Sequence, residues 1–294
     1  MSVPIDLALI IVLLVVGLGV ALITSMVGLG GGIIFVPVLL LFFQFPVKNA
    51  IPISLLAMMG NTISCSIAYI IQRRINYKLA FLYDVMDPAG VYVGALLVTI
   101  LSENVILGAI AGIIIVLGFT LVRKARSTNI KRGTSFDGQC LAEATEQGKK
   151  VEGQGDSENI SPAPVDLARN VKISNIPAIL TSSFGSGLVS GLAGLGGGIT
   201  DTTTMILMGV PPRVAAPTSE FAMAFTNLIA VIVYTLMGNM VWEAAIPLMC
   251  GAIVGAQIGA HYSKKINSRN LIYILVGFAW FAAIRLLISA FTGF

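Results

Sequence analysis

Twice in this chain a long apolar run stops at the same short string of glycines. Gly28-Leu29-Gly30-Gly31-Gly32-Ile33 recurs as Gly194-Leu195-Gly196-Gly197-Gly198-Ile199. The surrounding apolar stretches have the length that crosses a bilayer core, about 20 residues. Lipid offers no hydrogen bonds, so backbone inside it must be helical or belong to a closed barrel. Runs without period-two alternation exclude the barrel. A glycine-rich break leaves backbone N–H and C=O groups unpaired, which is costly in hydrocarbon. The chain is therefore expected to be an all-α polytopic membrane protein whose two breaks face protein or a cavity.

Composition and charge agree. The charged share is 11%, against roughly 25% in a soluble domain, the hydrophobic share is 56% and the mean hydropathy is +0.91. Nine of the 18 Lys and Arg and seven of the 14 Asp and Glu lie between Arg123 and Lys172, which leaves the other 244 residues almost free of charge. The net charge of +4 comes from bases at membrane boundaries, not from one patch, so no nucleic-acid partner is expected. Cys65, Cys140 and Cys250 have no metal-like spacing and His261 is the single histidine, so neither a metal, a cofactor nor a disulfide framework is expected. Residues 1–27 lack a basic n-region and a small-x-small cleavage site, and read as a membrane helix, not a signal peptide.

The internal similarity extends beyond the glycines. Pro46 and Ala50-x-Pro52-x-Ser54 return as Pro211 and Ala215-x-Pro217-x-Ser219. Gly90-xxx-Gly94-Ala95 returns as Gly251-xxx-Gly255-Ala256, and Asn104 as Asn270. An ordered series of matches marks a true repeat. The first repeat covers residues 1–123, the second 176–294, and a polar segment at 124–175 joins them. That segment has few large apolar residues, cannot bury a core, and reads as a flexible cytoplasmic linker. In each half a first helix (7–27; 179–193) runs into the break, and a short apolar element follows (33–43; 199–209), too short to span alone. Three full transmembrane helices come next (50–71, 79–101 and 105–122; 215–237, 242–261 and 271–291), giving about 8–10 membrane segments in all.

Loop charges set the orientation. Arg73, Arg74 and Lys78 lie between the first two full helices of the first half, and Arg123, Lys124 and Arg126 follow its last, while the loop between has Glu103 and no base. In the second half Lys264, Lys265 and Arg269 lie between the last two helices, and the preceding loop has Glu243 alone. Equivalent loops carry opposite signs, so placing the bases in the cytoplasm makes these inverted-topology repeats, an arrangement common among secondary transporters. Arg285 and, more weakly, Lys48 stand against it.

Paired breaks at equivalent positions point to a midplane site. Glycines let backbone N–H groups converge, and the positive end of the following short helix favours an anion. Gly30, Gly31, Gly32, Gly196, Gly197 and Gly198 are accordingly expected to bind a small anionic substrate. Ser54 and Asn61, seven apart on one helix face, and Ser219 and Asn227 in the other half could hold an oxyanion without a full positive charge. Close helix packing is the competing use of such glycines, and Gly90/Gly94, Gly108/Gly112 and Gly251/Gly255/Gly259 read as packing. No dinucleotide fingerprint exists here, because Ile33 and Ile199 replace its third glycine. Ionisable residues at depth default to function, so Asp84, Asp87, Asp201 and Glu220 are the candidates for proton coupling. Interface solvation is the alternative for Asp84 and Asp201. Tyr83-Asp84 lacks the Gly-x-Gly-Asp partner of an intramembrane aspartyl protease, and no enzyme is expected.

The paired Gly-Leu-Gly-Gly-Gly breaks, the two Pro-x-x-x-Ala-x-Pro-x-Ser stretches that follow them, and the Gly-xxx-Gly-Ala helices resemble the TauE/SafE sulfite-exporter family over about residues 10–122 and 176–291. The resemblance implies movement of sulfite, thiosulfate, organosulfonates or related carboxylates across the cell membrane. The long linker and the stretch Thr200-Asp201-Thr202-Thr203-Thr204 depart from the family's pattern. The expected function is thus a secondary anion transporter working by proton-coupled export and alternating access. A passive anion channel and a non-transporting membrane scaffold are the alternatives, and a homo-oligomer stays open.

Overall fold

The computed structural model describes residues 6–27, 30–71, 75–127, 176–207, 210, 212–262 and 268–292. Gly28 and Leu29, the bases at 73, 74, 264 and 265, and the linker from 128 to 175 lie outside the described residues. Eleven helices make up the described elements: α1 Leu7–Val27, α2 Gly32–Leu41, α3 Val47–Ile71, α4 Tyr77–Asp84, α5 Asp87–Ile100, α6 Glu103–Ser127, α7 Ile176–Ala193, α8 Gly198–Leu207, α9 Pro212–Leu236, α10 Trp242–Tyr262 and α11 Ser268–Thr292. Among the described residues six stretches are long and apolar enough to cross a membrane, those of α1, α3, α4 with α5, α6, α9 and α10. Gly32–Leu41, Ile179–Ala193 and Val276–Ala290 are shorter apolar helices. The chain is an all-α polytopic membrane protein.

One expected helix is interrupted. The stretch read as a single helix over 79–101 divides into α4, ending at Asp84, and α5, starting at Asp87. Pro88 explains the place. Proline has no N–H to offer the carbonyl four residues back, and its ring crowds that carbonyl. Four residues back is Asp84, where α4 stops.

The repeat is visible in matching elements. The helices α3 and α9 each have 25 residues with a proline at the sixth. The short helices α2 and α8 have 10 residues each and follow the two breaks. Packing exchanges elements between the halves: α1 of the first half lies along α10 of the second, and α7 of the second lies along α5 of the first. Both seams are built on glycine. A Cβ on Gly94 would sit 2.6 Å from the Leu188 carbonyl oxygen, and one on Gly90 would collide with that of Phe184. At the other seam, Gly251 and Gly255 back onto the Leu14 and Leu18 carbonyls in the same way. The packing role expected of Gly108 and Gly112 is not found, because a Cβ on either would meet no described atom within 4 Å.

The helices α3 and α9 pack against each other and carry ten of the 18 buried polar side chains among the described residues. One large apolar cluster surrounds them, with Leu13, Ile33, Phe35, Ile51 and Ile53 out of reach of solvent or lipid. The outer faces are apolar too: Phe81, Ile100 and Leu236 are 76%, 77% and 83% exposed, as suits surfaces solvated by acyl chains.

Candidate functional site at the two glycine breaks

Both breaks adopt the same backbone. Gly30 and Gly196 each have φ of 69°, and Gly31 and Gly197 follow at 95° and 66°. This left-handed region is open to glycine and disfavoured for residues with a Cβ, so the sequence string and the conformation explain each other. The breaks also meet. A Cβ on Gly32 would lie 2.6 Å from Leu195 Cα, inside the second string. Four of the six predicted glycines have positive φ and a fifth, Gly32, backs directly onto backbone.

Breaking a helix exposes carbonyls as well as N–H groups, and side chains from α3, α7 and α9 take them. Asn61 Nδ2 donates to Gly30 O at 3.1 Å. The Ser54 hydroxyl lies 2.7 Å from Ile51 O and 3.2 Å from Gly194 O. Ser219 Oγ donates to Gly198 O and Ser186 Oγ to Gly197 O, each at 3.2 Å. Three of the four residues predicted to touch an anion therefore brace the breaks. Their hydrogen bonds hold the carbonyls back, which leaves the N–H face of each break for other acceptors.

One such acceptor comes from the protein. Gly30 N–H donates to Glu220 Oε1 at 2.9 Å, across 190 residues of chain. The other carboxyl oxygen, Oε2, has no hydrogen-bond partner among the described residues, and neither do Asn61 Oδ1 or the Oδ1 and Nδ2 of Asn227. All three residues are completely buried. Unpaired buried polar atoms are rare in native proteins and each calls for a reason. Here they gather at one place: Asn227 Oδ1 would be 3.3 Å from a Cβ on Gly196.

Two methionines fill the space in front of the breaks. A Cβ on Gly30 would lie 2.8 Å from Met223 Cε and 3.3 Å from Met58 Cε. One on Gly196 would strike Met58 Cε, and one on Gly198 would strike Met223 Cε. Neither residue was expected at the site. The signal was present, since each methionine stands four residues after the repeated serine, Ser54 or Ser219. Long unbranched thioethers adapt easily to a changing cavity.

The remaining predicted carboxyls form a second group beside the first. The Thr226 hydroxyl lies 2.8 Å from both Asp84 Oδ1 and Asp87 Oδ2. The Ser183 hydroxyl reaches the Tyr83 carbonyl and, at 3.1 Å, Asp87 Oδ1. A threonine hydroxyl has one hydrogen, so one of its two contacts needs a hydrogen carried by a carboxyl. The Asp84–Thr226–Asp87 chain is thus complete only with a proton on it. Asp201, at the start of α8, is fully buried, with its N–H on the Gly197 carbonyl and its carboxyl beside Ser186. It lies within electrostatic reach of Asp87 and Asp84. No group of three or more His, Cys, Asp or Glu among the described residues is arranged to hold a metal ion.

A helical bundle with paired broken segments, a buried polar centre and intramembrane carboxyls defines a membrane transporter. The family model described as sulfite exporter TauE/SafE matches residues 13–286, and the chain belongs to that family. It is 26% identical to the probable membrane transporter protein YunE of Bacillus subtilis, over 90% of this chain and 92% of that protein. It is also 29% identical to the sulfite exporter TauE/SafE family protein 3 of Arabidopsis thaliana, over 49% of this chain and 30% of that longer protein. No solved structure matches.

Proposed function

We propose that this chain is a secondary transporter that exports a small oxyanion through the cell membrane by alternating access, in exchange with or together with protons. Sulfite, thiosulfate, an organosulfonate or a related carboxylate is the cargo class. The observation that carries the reading is the meeting of two left-handed glycine breaks in a centre where buried polar atoms stand unpaired. Gly30, Gly31, Gly197 and the amide of Asn227, unpaired among the described residues, present N–H groups to the anion, while Ser54, Asn61 and Ser219 hold the break carbonyls away from it. The Asp84–Thr226–Asp87 chain, with Asp201 beside it, is the proton-handling group. The exchanged packing of α1 on α10 and α7 on α5 supports two halves inserted in opposite directions.

A passive channel would use the same breaks and have no need of the carboxyls. The test is flux into proteoliposomes alongside ligand-induced thermal stabilisation of the purified protein, with sulfite, sulfate, thiosulfate, taurine and sulfoacetate as probes. At least one anion should raise the melting temperature and be driven uphill by an imposed proton gradient, and Asp87→Asn should abolish the driven flux. Flux that ignores the gradient makes the protein a channel. Neither binding nor flux with any probe removes the reading altogether.

A further inference from the structure

We propose that Glu220 is an internal competitor of the transported anion: its carboxylate occupies the Gly30 N–H that the anion needs, and it yields that N–H by taking up a proton. The inference rests on the anion site described above and assigns to one of the two breaks a built-in gate.

The geometry is that of a bound anion already in place. Gly30 has φ of 69°, and its N–H, which a continuous helix would have spent on a carbonyl, points to Glu220 Oε1 at 2.9 Å. No salt bridge to Glu220 occurs among the described residues, and its second oxygen has no hydrogen-bond partner there. The glycine N–H is doing for the glutamate what it would do for an oxygen of a sulfonate or a sulfite. Both ligands are anionic oxygens, and one N–H in a water-poor centre cannot serve two of them, because like charges at contact distance repel strongly where the dielectric is low. A neutral carboxyl removes that repulsion. It also changes from acceptor to donor, and Asn61 Oδ1 is an unpartnered acceptor on the residue that grips Gly30 from its carbonyl side.

At the second break no carboxylate accepts a glycine N–H among the described hydrogen bonds. Counting from the repeated serines, the residue equivalent to Glu220 is Leu55, which is fully buried and apolar. Among the described hydrogen bonds, then, a carboxylate occupies a glycine N–H at the first break, while at the second Asp201 stands beside Gly197 without taking an N–H. This makes anion binding and proton uptake a single event: one proton goes onto Glu220 for each anion that takes its place. The sign follows directly. Lowering the pH neutralises Glu220 and tightens anion binding, and raising it restores the competitor and weakens binding.

Cys65 on α3 is the titratable side chain close enough to feel its charge. Asp84 and Asp87 bind Thr226, about 9 Å further along α9 from Glu220 by helical rise, and Asp201 lies within electrostatic reach of both.

The test is the pH dependence of affinity, measured on the whole purified protein with thiosulfate and sulfoacetate. Both keep their charge from about pH 5.5 to about pH 8.5, so a change reports on the protein and not the probe. In the wild type, affinity should fall as pH rises, approaching tenfold per unit once Glu220 is ionised. Glu220→Gln should bind as tightly at high pH as the wild type does at low pH, with no slope. Glu220→Ala, which removes the acceptor entirely, should also be flat, and Cys65→Ser should keep the wild-type slope. A wild type whose affinity ignores pH overturns the proposal without any variant. So does a slope that persists in Glu220→Gln and disappears in Asp87→Asn, which would hand the coupling to the aspartates. Absence of binding by either probe in the wild type and in Glu220→Gln at every pH is a different failure, because it removes the anion site itself.

Discussion

The two glycine breaks share a backbone and differ in almost everything placed around it. Gly30-Gly31 and Gly196-Gly197 turn through the same left-handed conformation. One helical turn later the first repeat has Phe35 and the second has Asp201, each facing back to its break: Phe35 Cε2 would be 2.8 Å from a Cβ on Gly31, and Asp201 Oδ2 would be 3.4 Å from one on Gly197. Both side chains are buried, at 1% and 0% exposure. The helix α2 then continues through buried Val36, Pro37, Val38, Leu39 and Leu40, while α8 continues through Thr202, Thr203 and Thr204. The lesson is that the repeat supplies the frame and its divergence supplies the chemistry. A symmetric pair of breaks can hold an anion from two sides, but it cannot couple that anion to a proton. The proposed coupling needs acids, and the four candidates, buried Asp87, Asp201 and Glu220 and half-buried Asp84, lie around α9 and its neighbours, with apolar residues at the mirrored places.

The sharpest way to break this comparison is to exchange the residues that differ. Phe35→Asp puts an unpaired carboxyl into an apolar helix and should lower stability by at least about 3 kcal/mol, as an unsatisfied buried charge does. Asp201→Asn, at the equivalent place, should change stability by only about 1 kcal/mol and abolish proton-driven flux. Melting curves beside flux assays decide it. Equal stability of Phe35→Asp and the wild type would mean that the two sides are interchangeable.

Substituting what the breaks share comes next. Gly31→Ala and Gly197→Ala each place a Cβ at positive φ, which costs about 1–2 kcal/mol, and both should lose anion binding. Gly94→Ala meets the Leu188 carbonyl at 2.6 Å and should lose stability while keeping affinity for the anion. Retained binding in both break variants would locate the anion elsewhere. The smallest effect belongs to the braces. Ser54→Ala removes one hydroxyl from the Gly194 carbonyl and should destabilise by about 0.6 kcal/mol, the usual worth of an interhelical hydrogen bond in a membrane protein. A loss several times larger, read from thermal melts, would show that the second break depends on its brace more than the geometry implies.

Much of the frame was legible in the residues. The first helix begins and ends at the expected positions, and the short helices begin one residue earlier than expected, at Gly32 and Gly198. Hydropathy and glycine act locally, so run lengths and breaks can be read along the chain. The interruption at Asp84 was legible in principle from Pro88, since the clash of a proline reaches only four residues back. The amides and hydroxyls were found as polar residues at depth, but not their tasks. Ser54, Asn61 and Ser219 bind carbonyls as donors, and nothing in their spacing distinguishes a donor to backbone from a donor to an anion.

By itself, then, the sequence determined an all-α membrane protein with two repeats, the position of each break, and a set of intramembrane acids, because each depends on composition or conformation within a few residues. Only the tertiary structure decided that α1 would pack on α10 and α7 on α5, that Met58 and Met223 would stand before both breaks, and that Glu220 would reach across 190 residues to Gly30. Those are contacts between surfaces that many other pairings could have satisfied. Backbone groups freed by glycine will accept any partner of the right polarity, and which one arrives depends on how the helices around them pack.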